Sequence, residues 1–98
     1  MKVTAVDPLN ISTGQYQSIQ KELQEAGHEF YMYPDRNEKP EAIIERAKDA
    51  DIMVISNIPV TKEILDKLPN LKLLNVAFTG VDHIDLDTCR QKGIAVCN

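Results

Sequence analysis

Five short apolar runs, rich in β-branched residues, alternate with amphipathic stretches along this 98-residue chain. That alternation folds as successive βαβ units around a parallel sheet. The runs are Lys2 to Val6, Glu29 to Tyr33, Ile52 to Ile55, Leu73 to Ala77 and Ile94 to Cys97. Each is the length of one strand, and each intervening stretch is long enough for a crossover helix.

The stretch after the first run places Tyr16, Ile19, Leu23 and Ala26 on one helical face. Ser12 and Gln15 have the spacing of a capping box, and Gly27 suits the position just past the helix. A second helix is expected from Pro40 to Ala50, with Pro40 at its first position and Ile43, Ile44 and Ala47 inward. A third begins at Thr61 as N-cap and carries Ile64, Leu65 and Leu68 up to Pro69. The fourth is short, capped by Asp85, with Leu86 and Cys89 inward and Gly93 at its end.

Five strands and four crossovers fit an α/β, flavodoxin-like (Rossmann-like) three-layer sandwich. Its five-stranded parallel sheet runs in the order 2-1-3-4-5. Right-handed crossovers then put helix 1 on one face and helices 2, 3 and 4 on the other. A sheet of this kind normally carries a fifth helix beside helix 1, and the chain stops one residue after its last strand. On the helix 1 face, alternating residues of Ile52 to Ile55, Leu73 to Ala77 and Ile94 to Cys97 are therefore expected to lack cover and to favour self-association.

Eleven Lys and Arg against fifteen Asp and Glu give a net charge of −4 with no basic stripe, which disfavours nucleic acid and anionic membranes as partners. There is no signal-peptide core or membrane-length apolar run, so the expected compartment is the cytoplasm. Cys89 and Cys97 lack any CxxC or Cys/His spacing and are expected as reduced, packed thiols, with no metal site.

In open α/β sheets, ligands sit beyond the carboxyl ends of the strands, which directs attention to Asp7 to Thr13, Pro34 to Lys39, Ser56 to Thr61 and Phe78 to Asp85. Gly80 follows the fourth strand and would let the backbone turn and offer amides to a carboxylate. A turn glycine explains the same residue without any ligand. Asn57, Pro59 and Thr61 read as a turn and a cap, or as a helix start that attracts an anion. Asp82 and Asp85 fit loop hydrogen bonds and capping better than a catalytic carboxylate pair. His83 lacks a neighbouring nucleophile and reads as a surface or hinge histidine. Asn10 to Gln15 loosely resembles a flavodoxin phosphate loop, but Asp7-Pro8-Leu9 intervene after the strand, and aromatics are only 5% with no Trp to sandwich a flavin. A phosphoacceptor receiver domain is disfavoured by Ser56 and Asn57 at the end of strand 3.

From Leu71 the chain reads Leu-Lys-Leu-Leu-Asn-Val-Ala-Phe-Thr-Gly-Val-Asp-His-Ile-Asp-Leu, and later Lys-Gly-Ile-Ala-Val-Cys-Asn. Together with Ala50 to Ser56 and Thr61, this resembles the N-terminal catalytic domain of the D-isomer-specific 2-hydroxyacid dehydrogenases. The likeness covers the whole chain in layout and residues 50 to 98 in motif.

The resemblance implies an enzyme that moves a hydride between NAD or NADP and the C2 carbon of a 2-hydroxy or 2-keto acid. It implies that the backbone amides of Thr79 and Gly80, in the loop with Phe78, hold the substrate carboxylate, and that Ile58, Pro59 and Val60 line the side-chain pocket. The family's Gly-rich dinucleotide fingerprint and its catalytic Arg, Glu and His lie beyond residue 98, and no GxGxxG occurs in this sequence. Residues 1–98 are thus expected to be the N-terminal part of the substrate-binding domain, without catalytic residues or the NAD-binding domain, and inactive alone. The missing helix would come from the parent's C-terminal segment. The alternative is an autonomous flavodoxin-like binding or regulatory module, which an in-frame stop after codon 98 would favour.

Overall fold

Strands of three or four residues are held by their neighbours rather than by themselves, so pairing and facial packing decide this fold. The computed structural model describes residues 1–77, 80, 81 and 83–98. Strands β1 (Lys2–Ala5), β2 (Glu29–Met32), β3 (Ile52–Ile55), β4 (Leu73–Val76) and β5 (Ala95–Cys97) alternate with helices α1 (Thr13–Glu25), α2 (Pro40–Ala47), α3 (Lys62–Leu65) and α4 (Leu86–Lys92). All pairings are parallel and the order is β2-β1-β3-β4-β5, as the pattern implied. Four of the expected strands are one residue shorter, but Val6, Tyr33 and Ala77 still donate their amides across to Val54, Ala5 and Ile55.

Asp51 ties the amino ends of three strands together. Its amide donates to the Lys2 carbonyl at 2.9 Å, its carbonyl accepts from Lys72 at 2.7 Å, and its carboxylate accepts the Lys2 amide at 2.8 Å. That amide bond, with help from the Lys72 charge, holds the Asp51 carboxyl below the usual carboxylate range.

Because side chains alternate along a strand, the sheet has two inner faces. One joins Val6, Met53, Ile55, Leu74 and Val76 to Ile43 and Ala47 of α2, Ile64 and Leu65 of α3, and Cys89 of α4. The other joins Val3, Ala5, Leu9 and Phe30 to Tyr16 and Leu23 of α1. The division of helices follows the handedness rule.

Helix α1 forms the expected capping box and ends before Gly27, whose φ of +88° favours glycine. Its inward stripe differs from the expected one: Tyr16, Gln20 and Leu23 are half-buried, while Ile19 is 38% exposed and Ala26 is exposed. The cause is an anchor on edge strand β2. The Tyr16 ring packs edge-on against Phe30 with centroids 5.6 Å apart, and its hydroxyl accepts the Met32 amide. Gln20 donates to the Phe30 carbonyl at 3.1 Å, so the helix turns that side inward.

Three other expectations are corrected in detail. Helix α2 ends at Ala47, and Ala50 is buried in the turn that follows. Helix α3 is a single turn whose Thr61 side chain makes no capping bond; Leu68 is buried just beyond it. At α4, Asp85 caps the Thr88 amide at 3.0 Å and Cys89 is buried, but Leu86 is exposed. Cys97, on edge strand β5, is exposed rather than packed.

Cover on the α1 face falls away across the sheet. Ile52, Val54 and Leu73 are half-buried, and Asn75, Ala95 and Cys97 are exposed. Among the described residues, no helix is long and apolar enough to cross a membrane. The unequal layers yield a stability test on one strand. Ile55→Ala, on the three-helix side, should cost about 2–5 kcal/mol in urea denaturation. Ile52→Ala, on the α1 side, should cost less than half as much, and equal losses would contradict the layering.

Candidate functional site

The sheet order reverses at β1, so the loops leaving β1 and β3 diverge and open a crevice at the carboxyl edge. A cleft of about 700 Å³ occupies it, lined by Asp7 and Leu9 after β1, Arg36 after β2, Ser56 and Asn57 after β3, and Ala77 after β4. Asp7 lies two residues beyond the end of β1 and is only 1% exposed. Its Oδ2 accepts the Ser56 hydroxyl at 2.5 Å and lies 3.8 Å from Nη1 of Arg36, while its Oδ1 is buried without a hydrogen-bond partner among the described residues.

Arg36 bridges the cleft. Its Nη1 donates to Asn57 Oδ1 at 2.5 Å and its Nη2 to Glu38 Oε1 at 2.6 Å. A second arginine, Arg46 on α2, holds the loop that carries Arg36. It donates to the carbonyls of Val6 (3.0 Å) and Asp35 (2.8 Å), pairs with both oxygens of the Asp35 carboxylate, and stacks 4.5 Å over the Tyr33 ring. The β2 loop is thereby fastened to the end of β1.

Two further loops meet beside the cleft. The Val60 amide donates to the His83 carbonyl, and the Val60 carbonyl accepts from the Asp85 amide, both at 2.9 Å, so the connections after β3 and β4 run as one short parallel bridge. The side chains of Ile58 and Val60 are buried beneath it, and Pro59 presents the exposed surface of that loop. Gly80 is exposed, and a Cβ there would meet nothing within 4 Å among the described residues. Phe78, Thr79 and Asp82 lie outside the described residues. His83 is half-buried, with an Nε2 that has no hydrogen-bond partner among the described residues.

The arrangement offers hydrogen-bonding groups and one cation balanced by the Asp7 and Glu38 carboxylates, which suits binding and orienting a small polar ligand. The β1 to α1 connection contains no glycine before Gly14, and the Gln15 amide at the helix start is already taken by Ser12 Oγ at 3.1 Å.

Sequence reasoning pointed to all four loops but not to Asp7 or Arg36. An acidic residue directly after a β-branched strand was the available signal for Asp7, and nothing local marks Arg36. The cleft's internal pairing can be tested. Ser56→Ala should cost about 1–3 kcal/mol, because it leaves the buried Asp7 carboxylate without its closest donor. The same change made in an Asp7→Ala background should cost much less, which urea denaturation of the four proteins would measure.

Residues 9–98 match the model of the catalytic domain of D-isomer specific 2-hydroxyacid dehydrogenases. A glycerate dehydrogenase from Methylorubrum extorquens is 39% identical over 71 residues, a match that covers 72% of this chain and 22% of that protein. The solved NAD+-bound 3-phosphoglycerate dehydrogenase of Entamoeba histolytica superposes with a TM-score of 0.83 at 32% identity, over 98% of this chain and 32% of that one. The NAD-dependent formate dehydrogenase of Staphylococcus aureus, solved with NAD, gives 0.75 at 28% identity, over 98% and 30%. The chain thus spans about a fifth of that curated relative and under a third of those solved chains. With all but its first eight residues inside the family match and the sheet order in agreement, the chain belongs to the D-isomer specific 2-hydroxyacid dehydrogenases, within their catalytic domain.

Proposed function

We propose that this chain is the substrate-side part of an NAD(P)-dependent D-2-hydroxyacid dehydrogenase, in which a separate cofactor domain of a longer, cytoplasmic chain holds NAD or NADP. The observation that carries this reading is the joined pair of loops after β3 and β4, which leaves Gly80 exposed at the carboxyl edge with open space where a side chain would be. In this reading the Thr79 and Gly80 amides take the substrate carboxylate, since backbone N–H groups bind an anion without a charged side chain that needs its own partner. Phe78 shares that loop. Ile58 and Val60 fix Pro59 from beneath, and the three shape the pocket for the rest of the acid. The hydride donor or acceptor and the proton-transfer groups belong to the longer chain, so residues 1–98 alone should neither bind NADH saturably in calorimetry nor turn over a 2-keto acid.

In the longer enzyme, Gly80→Val should change the melting temperature little, because a Cβ at that position has open space within 4 Å among the described residues. It should raise KM for the keto acid about tenfold or more by blocking the backbone approach, with Thr79→Ala doing less. An unchanged KM for Gly80→Val would overturn the carboxylate assignment.

The thinly covered α1 face over β3 to β5 takes a later segment of the longer chain in the same reading. Without that segment, residues 1–98 should self-associate through this face at high micromolar concentration in sedimentation, and adding the segment should reverse it. A monomer under those conditions would remove this part of the proposal.

A further inference from the structure

We infer that Arg36 is a positioning residue that locks the Asn57 amide, so that Asn57 Nδ2 donates a hydrogen bond to an oxygen of the bound acid. This rests on the dehydrogenase reading above and adds two residues to its substrate site. The argument begins with what each group can do. A carboxamide has a donor end and an acceptor end of similar size, and nothing in its shape fixes which end faces a ligand. A guanidinium has only donors. With Arg36 Nη1 against Asn57 Oδ1, rotating the amide by half a turn would set N–H against N–H, so one orientation is enforced.

The guanidinium is itself held in place. Glu38 accepts from Nη2 at 2.6 Å, and the buried Asp7 carboxylate lies 3.8 Å from Nη1. Asp7 in turn accepts from Ser56, the chain neighbour of Asn57. Asp7, Ser56, Asn57 and Arg36 thus close a ring drawn from three loops, and all four line the cleft. The ring uses the acceptor end of Asn57 and leaves its two amide hydrogens as donors for the ligand. The chemistry selected is an oxygen acceptor, whether carbonyl, hydroxyl or carboxylate, and not an ammonium.

The test is steady-state kinetics and thermal melting of the full-length dehydrogenase, with its best 2-keto acid and NAD(P)H. Asn57→Ala and Arg36→Met should each raise KM about tenfold while kcat stays within about twofold, the signature of lost substrate binding. Arg36→Met made on top of Asn57→Ala should raise KM no further, because its effect runs through the amide. Arg36→Lys, which keeps a donor for Oδ1, should recover most of the affinity. Asn57→Asp replaces the donor by an acceptor but keeps the Arg36 contact, so it should melt like the unaltered enzyme and still raise KM. Additive effects in the double variant, or an unchanged KM for Asn57→Asp, would overturn the inference while leaving the dehydrogenase reading intact. An unaltered enzyme that reduces no 2-keto acid would overturn both.

Discussion

Strand β1 is paired on both sides, with β2 and with β3, and the chain changes its direction of travel across the sheet at that point. Much else follows from this double pairing. The crossover from β1 to β2 and the return from β2 to β3 pass on opposite faces of the sheet, and a crevice opens at the carboxyl end of β1. Asp7, two residues beyond the strand, is shut in laterally by its neighbours. A buried carboxylate needs donors, and here they come from both flanks: Ser56 beyond β3 and, at longer range, Arg36 beyond β2. The cleft exists because of the topology, and its polar lining exists because an acid lies just beyond β1.

The same topology explains why the two faces differ. Three successive crossovers in one direction stack α2, α3 and α4 side by side, and their contacts bury Met53, Ile55, Leu74 and Val76 completely or nearly so. One crossover in the other direction leaves α1 alone over β1 and β2. A lone helix cannot be held by neighbouring helices, so it is fixed by directional contacts instead: the Tyr16 hydroxyl on the Met32 amide and Gln20 on the Phe30 carbonyl. Polar anchoring of this sort sets the rotation of the helix, and it overrides the apolar stripe that its sequence suggests.

That override marks the boundary of what the sequence made legible. The strands, their order, the capping box at Ser12 and Gln15 and the left-handed cap at Gly93 rest on local chemistry or on general chirality, and all were readable. The exposure of Ile19 and Leu86 was not, because it depends on what stands opposite each helix. Helix α3 shortens to one turn for a related reason: Ile64, Leu65 and Leu68 can all be buried by a single turn followed by bends, so length is set by packing and not by the apolar count. In the cleft, Ser56 and Asn57 were accounted for as a turn because a turn needs no partner. Their role beside Asp7 and Arg36 appears only when positions separated by 49 and 21 residues are brought together.

The two arginines near the cleft show how a fold separates holding from binding. Arg46 is 13% exposed, and both of its terminal nitrogens are engaged by one carboxylate and two carbonyls, which holds it in place behind the cleft. Arg36 is 38% exposed, and its contacts fall on side chains: Asp7 and Asn57 from other loops and Glu38 from its own. Exposed ion pairs of this kind add little to stability. What the Arg36 pairs supply is direction: a cation fixed between Glu38 and Asp7 can orient a neutral amide, whereas a free one would swing toward any anion that entered. Rigidity is provided behind the cleft and orientation at its surface, so a ligand could be bound there without any movement of the strands beneath.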